Sequence, residues 1–275
     1  MEPAARGPVP LFGERALHLP DADAVAVGDV HVGLESDLAR AGVHLPSQTS
    51  RMRARLEEVL RRTAAKRLIV IGDLKHKVPY STRQEIRELP TFFRGLPAKV
   101  ELVPGNHDVD LDGLLDVEVH DATGILVGDV ALLHGHTWPS DDIMSARTVV
   151  TCHNHPAVLL MDALGHRHKE PAWIRAPFTE AARKQYPMLP EGAQMIVMPA
   201  FNELTGGTAF NALEGERLLG PLFGNGLVDP DAGRAFTLDG VDLGTIASLK
   251  RFGDDNPTGR KRRERYQKRR AGWIE

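Results

Sequence analysis

The fold is decided by residues 67–76, which read RLIVIGDLKH. The first five residues form a short apolar run that ends at Gly72-Asp73, a pattern typical of a buried strand followed by a turn. A similar run at residues 24–27 ends at Gly28-Asp29, and another at residues 99–103 ends at Pro104-Gly105. The sequence therefore predicts three strands that each end in a short polar loop.

Helices are predicted between these strands. Met52, Leu56, Val59 and Leu60 recur at helical spacing among charged residues, which predicts an amphipathic helix joining the first two strands in a βαβ unit. A weaker helix is predicted at about residues 82–93, interrupted near Pro90. Alternating strands and helices are typical of an α/β fold.

The second half of the chain has a different pattern. Short apolar runs separated by turn residues predict strands joined without long helices at 117–119, 125–127, 130–133, 148–151, 157–161 and 194–198. Prolines interrupt the stretch between the last two runs at positions 171, 177, 187 and 190. Residues 163–193 are therefore expected to form an irregular insertion, with one helix near residues 178–185.

Composition restricts the class of protein. The chain has 275 residues, of which 42% are hydrophobic and 26% charged, values that exclude wholesale disorder or a fibrous repeat. No apolar run approaches the roughly 20 residues that span a bilayer, and the N-terminus lacks the apolar core of a signal peptide. The single cysteine, Cys152, excludes an intramolecular disulfide and a cysteine-based zinc site. We expect a cytoplasmic protein with no membrane partner.

Charge is distributed unevenly along the chain. Residues 250–275 carry ten Lys or Arg and four Asp or Glu, whereas residues 1–249 carry 24 and 33. We predict a globular domain at 1–256 and a basic C-terminal tail at 257–275. Eight cationic side chains within residues 259–270 favour either a nucleic-acid arm or a merely solubilising tail.

Polar side chains follow five of the predicted strands. They are Asp29 and His31, then Asp73, then Asn106, His107 and Asp108, then His134 and His136, then His153 and His155. Loops after the carboxyl ends of strands converge on one crevice in open α/β sheets. Mixed oxygen and nitrogen donors suit Mn²⁺, Fe²⁺, Zn²⁺ or Co²⁺. Each fragment alone is a weak signal, but their conjunction indicates a metal site large enough for two ions.

In this order the motifs resemble those of the calcineurin-like metallophosphoesterases, over about residues 24–156. The second motif ends in His76, and in this it is similar to the motif of the branch that contains the SbcD-type DNA repair nucleases. Residues 198–201, which read MPAF, and Thr205-Gly206-Gly207 resemble a late motif of the ligase-associated phosphoesterases, the PdeM group, and their archaeal relatives. The resemblance implies a two-sheet α/β/β/α sandwich.

The resemblance also implies two divalent metal ions, with Mn²⁺ preferred and Fe²⁺, Zn²⁺, Co²⁺ or Ni²⁺ as alternatives. One ion would be held by Asp29, His31 and His155, the other by Asn106, His134 and His153, with Asp73 bridging both. A bridging carboxylate would offset the repulsion between the two cations. By the same resemblance His107 would protonate the leaving group, and Asp108 would orient the His107 imidazole.

Lys75, His76 and His136 are expected to contact substrate, because they lie next to the assigned ligands. One position departs from the family pattern, which has glycine where this chain has Cys152. A side chain resists positive φ. The backbone at Cys152 therefore either avoids left-handed space or displaces the loop and weakens the second metal site, and we expect the first.

The resemblance implies hydrolysis of phosphoesters. The basic tail and the repair-type second motif favour phosphodiesters in DNA or RNA, as in a DNA repair or processing nuclease. The alternative substrates are small nucleotide diesters or monoesters. An alternative of another class is a non-catalytic nucleic-acid-binding adaptor with one spoiled metal site. The oligomeric state is left open, with a homodimer as one alternative.

Overall fold

The three predicted strands form the centre of a first sheet. The computed structural model describes residues 7–111, 113–162, 164–212 and 217–249. The first sheet contains, in spatial order, β1 (Val9–Pro10), β2 (Leu17–Leu19), β3 (Ala24–Val27), β4 (Arg67–Ile71), β5 (Lys99–Val103) and β6 (Glu118–Val119). Strands β3 to β6 are parallel, so β3, β4 and β5 all end at the same edge.

The second sheet is formed by the later part of the chain. Its spatial order is β13 (Thr208–Ala209), β10 (Pro156–Met161), β11 (Arg167–Pro177), β12 (Gln194–Val197), β9 (Thr148–Thr151), β8 (Val130–Leu132) and β7 (Ile125–Val127). Strand β14 (Arg234–Thr237) pairs with β11 and with β15 (Asp242–Thr245). Strands β8, β9 and β12 are parallel to one another.

Helices lie on the outer faces. They are α1 (Leu34–Arg40), α2 (Thr49–Thr63), α3 (Arg83–Phe92), α4 (Glu180–Gln185) and α5 (Pro221–Gly224), with 3₁₀ turns at Pro20–Ala22 and Ile143–Ser145. The predicted apolar face of α2 is buried, including Leu56 and Val59. Full burial of one such side chain contributes about 1.5–3 kcal/mol.

Successive side chains along β3 and β4 point to opposite faces of the first sheet, so that one face packs against helices and the other against the second sheet. Val25, Val27, Leu68 and Val70 pack in one cluster with the buried face of α2. The intervening side chains, among them Ile69 and Ile71, pack against the second sheet with Leu132, Val150 and Trp173. A third cluster covers the outer face of the second sheet. The predicted α/β class and the two-sheet α/β/β/α arrangement are confirmed.

Two predictions about proline were wrong. Residues 163–193 are not an irregular insertion, because residues 167–177 form the long strand β11. This strand changes partner near Pro171: Arg167 to Pro171 pair with β10, whereas the residues that follow pair with β12 and β14. A proline is tolerated where a ladder ends. The helix α4 was predicted correctly within the same stretch.

Helix α3 also continues past its proline. It begins with a capping box between Thr82 and Glu85 and contains Pro90. Proline leaves the carbonyl four residues earlier without an intrahelical donor, here that of Ile86, whose side chain is about half exposed, so water can reach this turn.

Among the described residues no helix is both long and apolar enough to cross a membrane. The predicted boundary at residue 257 and the basic tail lie outside the described residues.

Candidate metal centre

The candidate ligands converge at the carboxyl ends of parallel strands in both sheets. Asp29 and His31 follow β3, Asp73 follows β4, Asn106 and His107 follow β5, His134 follows β8, and His153 and His155 follow β9. Three of these strands belong to the first sheet and two to the second. The facing edges of the two sheets therefore bring together side chains that are distant in sequence.

One group contains Asp29, His31 and His155, with one ligand atom of each within 4.8 Å of the others. The Nε2 atoms of His31 and His155 are 3.3 Å apart. His155 Nε2 lies 3.5 Å from Asp29 Oδ2. These three side chains are the set that the resemblance implies for the first metal ion.

A second group contains Asp73, His134 and His153, with the same spacing. His134 Nε2 lies 3.1 Å from Asn106 Oδ1 and 3.5 Å from Asp73 Oδ1. The other oxygen of Asp73, Oδ2, lies 3.7 Å from His31 Nε2. Asp73 therefore faces both groups, one carboxylate oxygen toward each, as a bridging ligand must.

The backbone is left-handed at five of these residues. Positive φ values of 42–59° occur at Asp29, His31, Asp73, His153 and His155. Such conformations cost about 1–3 kcal/mol each in non-glycine residues and cluster at functional sites. The His31 amide donates to the Asp73 carbonyl at 2.8 Å, which ties the two loops together.

Cys152 does not have a positive φ, and the left-handed residue is its neighbour His153. The expectation that the backbone at Cys152 avoids left-handed space is confirmed, and His153 and His155 both lie within the groups described above. The Cys152 thiol donates to the Ile71 carbonyl at 2.7 Å. Burial and the nearby Asp29 and Asp73 carboxylates raise the pKa of this thiol. A protonated thiol is a packing residue rather than a metal ligand.

Burial and neighbouring charges together set the protonation of the two groups. Burial lowers the pKa of His134 to about 3 and that of His153 to about 4, so both imidazoles are neutral at pH 7. Burial, together with repulsion from Asp29, raises the pKa of Asp73 to about 8. The pKa of Asp29 itself is lowered, because the effect of His155, His134 and His31 exceeds the opposing effect of burial.

This donor set fits divalent cations. Neutral imidazoles and carboxylates are the forms that bind metal. The raised pKa of Asp73 shows that its negative charge lacks compensation from the side chains around it. Two cations between these groups would supply that compensation.

Other groups orient the imidazoles. With Nε2 of His31 facing the centre, its Nδ1 donates to His76 Nδ1 at 3.2 Å, and His76 Nε2 lies 3.4 Å from Asp37 Oδ2. His155 Nδ1 similarly donates to the Gly206 carbonyl at 3.1 Å. Such partners fix the tautomer and ring orientation of metal-binding histidines. His76, expected to contact substrate, thus lies behind His31.

His107 lies at the rim of the cleft. Its amide donates to Asp73 Oδ1 at 2.9 Å, its Nδ1 contacts the His76 carbonyl, and its Nε2 is 3.9 Å from Asp73 Oδ2. The expected orientation of this ring by Asp108 is replaced by the His76 contact. The Asp108 carboxylate instead accepts from the backbone amides of Leu74, Lys75 and Gly105 at 2.8–3.2 Å. Asp108 therefore holds the two loops in position.

Two further expectations concern substrate contacts. Lys75 does not line the cleft, because its side chain is fully buried and its ammonium donates to the Lys77 carbonyl. The expectation that it contacts substrate is wrong. The His136 ring lies beside the second group, with its centroid 5.2 Å from that of His134 and 6.2 Å from that of His153. Its buried Nδ1 has no hydrogen-bond partner.

Sequence reasoning missed residues that hold the ligand loops. The Asn202 amide donates to the carbonyls of Val30 and His31 at 3.1 and 3.3 Å. Glu85, which is fully buried, accepts from the His76 and Lys77 amides at 3.0 and 2.7 Å. The signal for Asn202 was its place within the late motif, whereas Glu85 resembled only a helix cap.

We expect Asp73→Asn to be at least as stable as the wild type without metal, because asparagine removes an unfavourable buried charge and keeps an acceptor for the His107 amide. The advantage should grow from about pH 4, where the unfolded carboxyl ionises, to about pH 8, the pKa in the folded state. Each 1 kcal/mol should change the melting temperature by about 2–4 °C. Thermal melts in EDTA across this pH range measure the difference in stability without metal, and melts in Mn²⁺ measure the effect of metal.

In Mn²⁺ the wild type should gain more stability than Asp73→Asn. The control is Asp129→Asn, which alters an exposed carboxylate beside Arg147. Equal stabilisation of wild type and Asp73→Asn by Mn²⁺ would mean that Asp73 does not bridge the ions.

Comparison with known proteins agrees with the sequence motifs. The sequence profile of a family described as calcineurin-like phosphoesterase matches residues 24–192. A search of curated proteins found no significant match. Among solved structures, the nuclease MPE of Pseudomonas putida has a TM-score of 0.57 and 24% identity, over 86% of this chain and 99% of that chain. At this level of identity, the similarity indicates a shared fold.

Two other solved structures match more loosely. The phosphoesterase YfcE of E. coli has 15% identity and a TM-score of 0.37, over 82% of this chain and 98% of its own. A conserved protein of Streptococcus pneumoniae TIGR4 has 12% identity and a TM-score of 0.31, over 80% and 91%. The match of the family profile covers more than half of the chain. The chain therefore belongs to the calcineurin-like phosphoesterases, hydrolases of phosphoester bonds that hold divalent metal ions in a binuclear site.

Proposed function

We propose that this chain is a binuclear metal-dependent phosphodiesterase that acts on nucleic acid. The observation that carries this proposal is the position of Asp73 between the Asp29, His31, His155 group and the His134, His153 group. The first group would hold one ion and the second, with Asn106, the other. When bound, two divalent cations activate water and neutralise charge on the phosphate. The mixed imidazole and carboxylate donors suit several divalent ions, and among these we favour Mn²⁺ because the family resemblance implies it.

The shape of the cleft supports a long substrate. Asp29 and His134 form a floor that is fully buried. Asn106 at the rim is exposed, and the side chains of His107 and His155 are 24% and 22% exposed. A small ligand is usually enclosed by its pocket. An open rim above a buried floor leaves room for a substrate that extends beyond the site.

His107 is the proposed general acid. Its Nδ1 contacts the His76 carbonyl, which fixes a proton on Nδ1 and leaves Nε2 toward the centre. In the imidazolium form, Nε2–H would give its proton to the departing oxygen, and the ring would become neutral. General acid catalysis of this kind contributes about 10²–10⁴-fold.

The position of the last ligand loop favours the enzyme over the adaptor alternative. The adaptor required that Cys152 displace the last ligand loop, whereas His153 and His155 both lie within the groups described above. The alternative of small nucleotide esters requires the same chemistry on a different substrate, and the following experiment distinguishes the two.

We expect the purified protein with Mn²⁺ to hydrolyse bis-nitrophenyl phosphate and single- or double-stranded DNA or RNA faster than nitrophenyl phosphate. Parallel assays with Mg²⁺, Zn²⁺, Co²⁺ and Ni²⁺ identify the metal. Preferred hydrolysis of the monoester, with intact nucleic acid, would replace the proposal by a small-substrate phosphatase. Failure with every metal and substrate would remove the hydrolytic function.

We expect His107→Asn to retain both metal ions and to lose turnover mainly on substrates with poor leaving groups. The loss should be about 10²–10⁴-fold on a nucleic-acid diester and smaller on a nitrophenyl diester, whose leaving group departs without a proton. Metal analysis and the two assays make the comparison.

The matched control is His166→Asn, which changes a histidine that is 77% exposed in the β10–β11 turn. Equal losses on both substrates would contradict the role of His107 as an acid, and loss of metal would make it a ligand.

A further inference from the structure

A cavity of about 320 Å³ adjoins the candidate metal centre at His155. Its lining includes Arg15 and Lys169 as cations, Glu203, and the backbone of Gly206 and Gly207. His155 forms part of the wall, so the cavity and the metal centre share one side chain. Nothing in the proposed chemistry at the metal centre uses the two cations.

Lys169 lies close to His155 through the glycine loop. Its ammonium donates to the Gly207 carbonyl at 2.9 Å, and His155 Nδ1 donates to the carbonyl of the preceding residue, Gly206, at 3.1 Å. Consecutive α carbons are about 3.8 Å apart. The Lys169 ammonium is therefore bound one residue away from the Gly206 carbonyl, which orients His155, a candidate metal ligand.

Arg15 supplies a second positive charge. Its Nη1 donates to the backbone carbonyls of Ala200 and Asn202 at 3.0 and 3.3 Å. These acceptors are neutral, and the carboxylates that act on the guanidinium, Glu203 and Glu170, lie beyond ion-pair distance. A partly buried guanidinium without a direct ion pair is unfavourable. An anion in the cavity would remove this cost and could be bound by the remaining N–H groups.

The carboxylates nearby are already paired. Glu203 forms ion pairs with Arg51 at 2.8 Å and with Arg55 at 3.3 Å. Glu170 lies 3.6 Å from His168 Nε2. Among residues 7–111, 113–162, 164–212 and 217–249, no carboxylate forms an ion pair with Arg15 or Lys169. The cavity therefore presents two cations that have no carboxylate at ion-pair distance, although Glu203 and Glu170 act on Arg15 from farther away and residues 1–249 carry more acidic than basic side chains.

We propose that this cavity binds the phosphate next to the scissile one in a polynucleotide chain. The inference rests on the proposed function, since it requires a substrate that also reaches the metal centre. A polynucleotide carries one phosphate per nucleotide, so a strand held at the metal centre brings a second phosphate to its flank. Lys169 and Arg15 bind that phosphate, which favours nucleic acid over a small diester. A nitrophenyl diester has no second phosphate to place there.

The test compares a thymidine trinucleotide, which has a flanking phosphate, with the dinucleotide, which has none. In the full-length protein, Lys169→Ala should lower the ratio of kcat/KM for trinucleotide over dinucleotide by about two- to fivefold, the range expected for one exposed ion pair. Arg15→Lys should lower it as well. A ribonucleotide pair run in parallel tests whether the cavity depends only on phosphate.

A binding assay gives a readout that does not depend on hydrolysis. Anisotropy of a labelled single-stranded oligonucleotide in EDTA should show weaker binding by Lys169→Ala and a salt slope lower by about 0.7. The control Lys66→Ala also removes an exposed lysine, at the opposite end of β4, where the Lys66 ammonium lies 3.5 Å from the exposed Asp23 carboxylate. It should leave the ratio, the affinity and the slope unchanged. Lys169→Gln, which keeps a donor for Gly207, replaces Lys169→Ala if the alanine variant melts early.

The outcomes separate the two proposals. If oligonucleotides are cleaved but the ratio and slope are the same in Lys169→Ala as in wild type, the flanking-phosphate site is wrong and the phosphodiesterase stands. If no oligonucleotide is cleaved with any metal, the proposed function is wrong, and the binding assay alone decides whether the cavity holds phosphate. Equal effects of Lys66→Ala and Lys169→Ala would mean that any exposed lysine contributes nonspecifically to binding, and the flanking-phosphate site would be wrong.

Discussion

The rest of the site depends on one buried carboxylate, that of Asp73. One of its oxygens accepts from the His107 amide and faces His134, and the other faces His31. Burial and Asp29 oppose its ionisation. The His107 amide stabilises the anion too little to offset burial and Asp29, and two cations would lie within reach if each group of ligands held one. Asp73 would therefore link metal affinity to the position of the proposed acid.

The surrounding backbone is built to admit that carboxylate. At Gly72, which has a φ of 87°, a Cβ atom would lie 2.2 Å from His134 Nδ1. At Gly105 a Cβ atom would lie 2.2 Å from Asp73 Oδ1. Both positions need glycine, because the loops after β4 and β5 approach the ligands too closely for any side chain. The candidate ligands with left-handed backbone follow strands whose apolar residues are fully buried. The packing of these strands offsets the backbone strain in the loops.

Much of this arrangement could be predicted from the sequence. The bounds of β3, β4 and β5 were predicted to the residue, because each is an apolar run closed by turn residues. The convergence of the polar loops followed from parallel strands sharing an edge. The strand β11 was missed because Pro171 lies where its partners change, and helix α3 was predicted with an interruption near Pro90 that the structure does not have. In both cases tertiary packing tolerated a proline that local pattern alone treats as a break.

Side-chain environment was harder to predict than position. Lys75 follows Asp73 closely in sequence, yet its side chain turns inward to the Lys77 carbonyl, whereas His76 turns behind His31. Arg15 and Lys169 are far apart in sequence, and only the fold brings them together in the wall of one cavity beside His155. Such contacts arise only when the two sheets are assembled.

Anomalous diffraction from crystals grown with Mn²⁺ tests the shared carboxylate most directly. The account predicts two manganese peaks per chain, one beside Asp29, His31 and His155 and one beside Asn106, His134 and His153, with Asp73 in contact with both. A single peak would contradict it, as would a peak on the neighbouring group of His31, His76 and His107, whose ligand atoms also lie within 4.8 Å of one another.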